Sequence, residues 1–132
     1  MLEKSLAWAA LALAAVLLVM TGCRPNTSQI SDAQVDVVLD PSPPEVGTSN
    51  LSLTLADASG KPLEGANVRV EGNMNHAGMK PSFADLSEVK PGQYEGTLEF
   101  TMGGDWFLLV NARLPDGRTV EHKVDVPGVR TK

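Results

Sequence analysis

One cysteine, Cys23, is the only thiol in this chain of 132 residues. No disulfide can form within it, so its stability must come from buried apolar surface and hydrogen bonds. Histidine is nearly as scarce, at two residues, and aromatic side chains make up 5% of the sequence. No serine motif accompanies His76 or His122, so no nucleophile is paired with a base. Zinc hydrolysis needs about three His or carboxylate ligands, and the two histidines stand far apart with no helix between them. Phosphate loops and dinucleotide fingerprints are also absent. The expectation is therefore a protein that is not an enzyme. Positive charge is short as well: 11 basic residues face 16 acidic ones, for a net charge of −5. Without a basic stripe, nucleic acid is excluded as a partner, and lipid head groups find no patch to bind.

What the chain does have begins at its N-terminus. Lys4, beside Glu3, precedes an apolar run from Leu6 to Met20 that falls short of the ~20 residues a bilayer-spanning helix needs. Val19-Met20-Thr21-Gly22-Cys23 resembles the lipobox of bacterial lipoproteins, with Met20 where that family usually has Leu. The expected organisation is a helical lipoprotein signal peptide over 1–22, a lipidated Cys23 opening a flexible polar tether over 23–32, and one domain over 33–132. The alternative is an uncleaved anchor helix with an incidental cysteine. Lipidation consumes the thiol and holds an exported domain on the cell membrane or outer membrane, facing the periplasm or cell exterior. In the lipoproteins this segment resembles, a residue such as Arg24 in place of Asp after the cysteine implies the outer membrane where there are two. Removing Glu3 and Lys4 with the leader leaves the net charge unchanged.

From Ala33 onward apolar and polar residues alternate, the mark of strands with one buried face. Val35, Val37 and Leu39 share a face, then Leu51, Leu53 and Leu55, then Val68 and Val70. A weaker segment runs from Phe83 to Val89. Tyr94, Gly96, Leu98 and Phe100 follow, then Trp106, Leu108, Val110 and Ala112, and last Val120, His122, Val124 and Val126. Glycine-bearing turns separate the runs at Ser59-Gly60-Lys61-Pro62, Pro91-Gly92, Gly103-Gly104 and Asp116-Gly117. Seven short strands predict a small all-β, antiparallel, immunoglobulin-like sandwich. The stretch from Gly47 to Val70 resembles the opening of many extracellular immunoglobulin-like modules.

Asn73-Met74-Asn75-His76-Ala77-Gly78-Met79-Lys80-Pro81 breaks the alternation and is expected to be a surface loop. Methionine belongs mostly in cores, so two in an exposed loop are unusual. Together with His76 they offer two thioethers and an imidazole; thioether sulfur is a soft donor that favours Cu(I), and imidazole accepts copper in either oxidation state. Every second connection in a sandwich lies at the same end. This loop and Thr101-Met102-Gly103-Gly104 are therefore expected to be neighbours, with Met102 as a third sulfur.

These segments, with Pro91-Gly92-Gln93-Tyr94 and Phe100-Thr101-Met102-Gly103-Gly104-Asp105-Trp106, resemble the YtkA-like domain, related to the FixH-like proteins. The similarity runs from about Leu51 to Val126. It implies an immunoglobulin-like, often membrane-anchored domain, in some cases associated with copper handling and assembly of respiratory oxidases. On that basis Met74, His76, Met79 and Met102 are implied to carry copper to a partner protein.

Simpler roles stand beside these. Met79 and Met102 would equally serve as packing at the end of the core, and His76 as a solvated loop residue. His122, at an inward position of the last strand, is expected to be a hydrogen-bonded core histidine, with a ligand role as the alternative, and Trp106 the central core aromatic. Asp57, Asp105 and Asp116 are expected to serve turns. Two functions remain open: a Cu(I) metallochaperone-like module, or a metal-free accessory domain of an envelope membrane complex.

Overall fold

The alternating runs become seven strands: β1 (Gln34–Asp40), β2 (Gly47–Ala56), β3 (Asn67–Asn73), β4 (Ser82–Lys90), β5 (Gln93–Phe100), β6 (Gly104–Arg113) and β7 (Thr119–Val129). The computed structural model describes residue 22 and residues 28–132. The expected signal peptide, Cys23 and the first part of the tether lie outside the described residues, apart from Gly22.

All strand pairs are antiparallel, in the order β1-β2-β5-β4-β3-β6-β7. β4 changes partner midway. Ser82 to Leu86 pair with β3, and Ser87 to Lys90 pair with β5 across a register shift between Glu88 and Lys90. The ribbon therefore folds at β4 into two facing layers, β1-β2-β5 and β3-β6-β7, bridged along one side, a corner made by a strand that switches sheets. This is the expected immunoglobulin-like sandwich.

The core lies between the layers and uses the inward residues of the alternation. Leu51, Leu53, Leu55, Val68, Val70, Tyr94, Leu98, Phe100, Leu108, Val110 and Ala112 are all buried. Trp106 is 2% exposed and meets Phe100 edge to face, with ring centroids 5.1 Å apart and an interplanar angle of 86°. Val35, Val37 and Leu39 face inward on β1 but remain half-buried, because β1 is an outer strand.

His122 departs from expectation. It sits in the inward register of β7, opposite Val110, but is exposed and is not a core histidine. β7 is the last strand of its layer and its inward row is covered unevenly: Val120 and Val126 are buried and Val124 packs against the core, while His122 stays exposed. Part of the span expected to be tether is paired with the domain. Ser28 to Ile30 lie parallel to the start of β7, with Ile30 N–H donating to Thr119 O at 2.8 Å and Thr119 N–H to Ser28 O at 3.1 Å. These bonds protect part of an outer strand edge that would otherwise be open to another chain.

Two ends of the sandwich can now be distinguished. The base carries the turns at Asp57–Lys61, Pro91–Gly92 and Leu114–Arg118, and the tip carries the 74–81 and 101–103 connections. At the base, Tyr94 is fully buried; its hydroxyl donates to Leu63 O at 2.8 Å and accepts from Ala66 N–H at 3.0 Å. Burial pushes its phenol up from the ordinary value. Glu88 accepts from the N–H groups of Gly65 and Gly92 at 3.2 Å, fixing the turns around that tyrosine. Tyr94→Phe leaves two backbone groups without their partner and is expected to cost about 1–3 kcal/mol. A urea midpoint equal to that of the parent would show that water replaces the hydroxyl there.

Asp57 and Asp116 serve turns as expected. Asp57 Oδ1 accepts from Ser59 Oγ at 2.7 Å and from Ser59 and Lys61 N–H at 2.9 Å; Asp116 accepts from Arg118 N–H and Nε–H at 3.0 and 2.7 Å. Both carboxyls are held below the ordinary carboxylate range, Asp57 chiefly by the Ser59 hydroxyl and Asp116 by the Arg118 N–H and side chain. A lowered folded-state pKa gives stability above the unfolded value that is lost as pH falls through the folded one, so these turns loosen only in acid.

Candidate functional site

The tip is assembled from the end of β3, the start of β6 and the loops beside them. Gly72 and Asn73 end β3 opposite Leu108 and Phe107, and Met74 follows directly. Alternation stops there because Asn75-His76-Ala77-Gly78 turns the chain, with Gly78 at φ 79° and Met79 N–H reaching back to His76 O at 3.5 Å. Met74 and Met79 are half-buried and pack against the edge of the core; His76 is exposed.

The second loop meets the first as the strand directions require. The Met74 Cε methyl lies 3.1 Å from where a Cβ on Gly104 would stand. Gly104 also has φ 121°, which disfavours an L side chain. A side chain here would both strain the backbone and drive Met74 off the turn. Gly103 is hemmed in from the other side: its missing Cβ would stand 2.6 Å from Thr131 Cγ2 and 3.2 Å from Val129 O. Met102 precedes this pair and is 45% exposed, so it does not serve as core packing. Its carbonyl accepts a hydrogen bond from Trp106 Nε1–H at 2.9 Å, which ties the loop to the core aromatic. Trp106 in turn lies 3.5 Å from the Cβ position of Gly72, beside Leu98. Asp105 fixes the far side of the tip, accepting from Gly128 N–H at 2.9 Å.

Of the four expected donors, then, Met74 is brought onto the Met102-Gly103-Gly104 turn. Met79 is anchored against the core edge, and His76 and Met102 face solvent. Thioethers and an imidazole are donor types that Cu(I) accepts, and the contact that joins the two loops is made by Met74. Among the described residues, no three His, Cys, Asp or Glu side chains come together in a way that would hold a hard or borderline metal. Cys23, the expected lipidation site, lies outside the described residues.

Two features of the molecule had no expectation attached to them. Thr131 belongs to the tip because the register Gly104↔Val129 carries the chain past Gly103, and this register is invisible in the composition of either strand. The outer face of the β3-β6-β7 layer carries Phe83 and Leu109, 50% and 39% exposed, in a shallow groove with Arg69, Glu71 and Lys123. The Arg69 guanidinium lies 4.5 Å from the centre of the Phe83 ring. Apolar residues at these outward positions were the available signal.

Solved structures with a similar fold include FdeC, an Escherichia coli adhesin, at 24% identity and TM-score 0.55 over 77% of this chain and 32% of that one. A DUF4785 family protein from Legionella pneumophila is similar at 14% identity and TM-score 0.51, over 76% and 29% of the two chains. The chain thus spans about a third of the length of either protein. The Lin-41 filamin domain aligns at 12% identity and TM-score 0.48, over 78% of this chain and 94% of that one. The likeness to these structures is one of fold. No curated protein matches the chain. The model of the YtkA-like family matches residues 27–111, a span that takes in β1 to β5 and most of β6 with both tip loops, and the chain belongs to that family.

Proposed function

We propose that this YtkA-like chain is an exported, lipid-anchored binding module, without catalytic activity, that holds Cu(I) at its Met/His tip. Outside the cytoplasm it passes the ion to a protein partner, a respiratory oxidase or another copper acceptor. The single observation that supports this most is the seating of the Met74 methyl on Gly104, which joins the loop of His76 to the loop of Met102. Half-buried Met74 and Met79 act as fixed ligands, while exposed His76 and Met102 act as the ligands an acceptor reaches first. Such a site is open, as a carrier that must release its cargo requires. The test is competition for Cu(I) against a chromophoric chelator under reducing conditions, using protein that starts after Cys23. One equivalent should be withheld from the chelator; complete transfer of copper to the chelator would refute the site.

Anchoring is tested separately. Cys23→Ser is expected to abolish incorporation of a fatty-acid probe and to release the protein from the membrane fraction. Equal labelling of the variant and the parent would refute lipidation at this residue.

A second reading, a metal-free accessory domain, is favoured by one observation: the exposed Phe83 and Leu109 beside Arg69 on an outer sheet face. It needs no convergence of sulfur donors at the tip.

A further inference from the structure

The geometry points to a fixed polarity of the anchored domain: the tether leaves at the base, so the Met/His tip is presented away from the membrane, to a partner domain standing in the aqueous space. This rests on the anchoring at Cys23 proposed above and adds the direction in which the site faces.

Ser28 and Ile30 bracket Thr119 in a parallel pairing, with Gln29 directly opposite it. Thr119 opens β7 opposite Arg113, the last residue of β6, so it stands at the base. Because the pairing is parallel, Ser28 lies at the end of this segment nearest the Leu114–Arg118 turn, on the base side. The tip lies at the other end of the same two strands, where Gly104 pairs with Val129. β6 has 10 residues, so at the usual strand rise the two ends are about 33 Å apart. The link from Cys23 to Ser28 is five residues and reaches at most about 18 Å. A leash that short, fastened to the base, keeps the base near the bilayer and cannot by itself invert the domain.

Lying flat is the remaining way for the tip to approach lipid. The outer face with Phe83 and Leu109 is the natural candidate, but its apolar residues are interspersed with charges of both signs, Arg69 and Lys123 beside Glu71, Asp85, Glu121 and Asp125. The net charge of −5 is repelled by an anionic bilayer. An upright domain therefore offers the tip to an extramembranous acceptor, and a copper site buried within a membrane-embedded subunit is out of its reach.

The introduced thiol would be the only free one in lipidated protein, so single fluorophores can be placed by Lys80→Cys at the tip, Arg113→Cys at the base and Leu109→Cys on the outer face. The full lipidated chain is reconstituted into phosphatidylcholine–phosphatidylglycerol vesicles carrying a head-group quencher. Quenching at position 113 is expected to exceed that at 80 and 109 several-fold. Quenching at 80 or 109 as strong as at 113, in protein that floats with the vesicles, would overturn the polarity while leaving the anchor intact. Failure of the parent to float would overturn the anchor and the polarity together.

Discussion

Trp106→Ala is expected to lower the stability of the domain by roughly 3–5 kcal/mol, the range for removing a large buried aromatic whose surroundings cannot collapse. Several contacts converge on that side chain. Its ring stands edge-on to Phe100, covers Gly72 and is almost wholly removed from solvent. The two backbone strands beside it are fixed by pairing and cannot close the gap. The measurement is a denaturant titration, in which the midpoint should fall sharply with little change in slope. Trp106→Phe separates the two roles of the indole. It keeps most of the packing but loses the N–H that donates to Met102 O, so it should cost about 1 kcal/mol and loosen the 101–103 connection. If Trp106→Ala left the midpoint unchanged, the layer assignment of β6 would be wrong.

The second large effect concerns metal. His76→Ala and the double change Met74→Leu/Met79→Leu are each expected to weaken Cu(I) binding roughly tenfold or more, about 1.4 kcal/mol, while leaving the fold intact. Both changes keep volume where it matters. Leucine replaces the half-buried thioethers with an apolar group of similar size, and His76 is exposed. Met102→Leu is expected to act in the same direction. Zn(II) should bind far more weakly, since one imidazole and several thioethers are a poor set for it. Unchanged Cu(I) affinity in both variants would favour the accessory-domain reading.

Much of this architecture was legible because it rests on period-two alternation. Leu51, Leu53 and Leu55, or Trp106, Leu108, Val110 and Ala112, can share a face only in a strand, and each set is buried. The meeting of the two tip loops followed from strand direction alone. Three features did not follow. His122 reads as inward and is inward, but alternation says nothing of which strand ends a layer, and exposure at an edge depends on that. Ser28 to Ile30 look like tether because their docking uses backbone N–H and C=O groups that every residue carries. The partner change within β4 depends on a register shift between Glu88 and Lys90 that no side-chain pattern announces. At the site, the donor types were legible and their mounting was not. That Met74 packs on Gly104 while Met102 stays exposed is a consequence of how β3 ends and β6 begins.

The most direct test of the central claim is X-ray absorption at the copper edge on the reduced, Cu(I)-loaded domain starting after Cys23. Sulfur scatterers accompanied by a single imidazole are expected, with the imidazole signal gone in His76→Ala and the sulfur signal diminished in Met74→Leu/Met79→Leu. A shell of nitrogen and oxygen only, or one that both variants leave unchanged, would contradict a Met/His copper site at the tip of this sandwich.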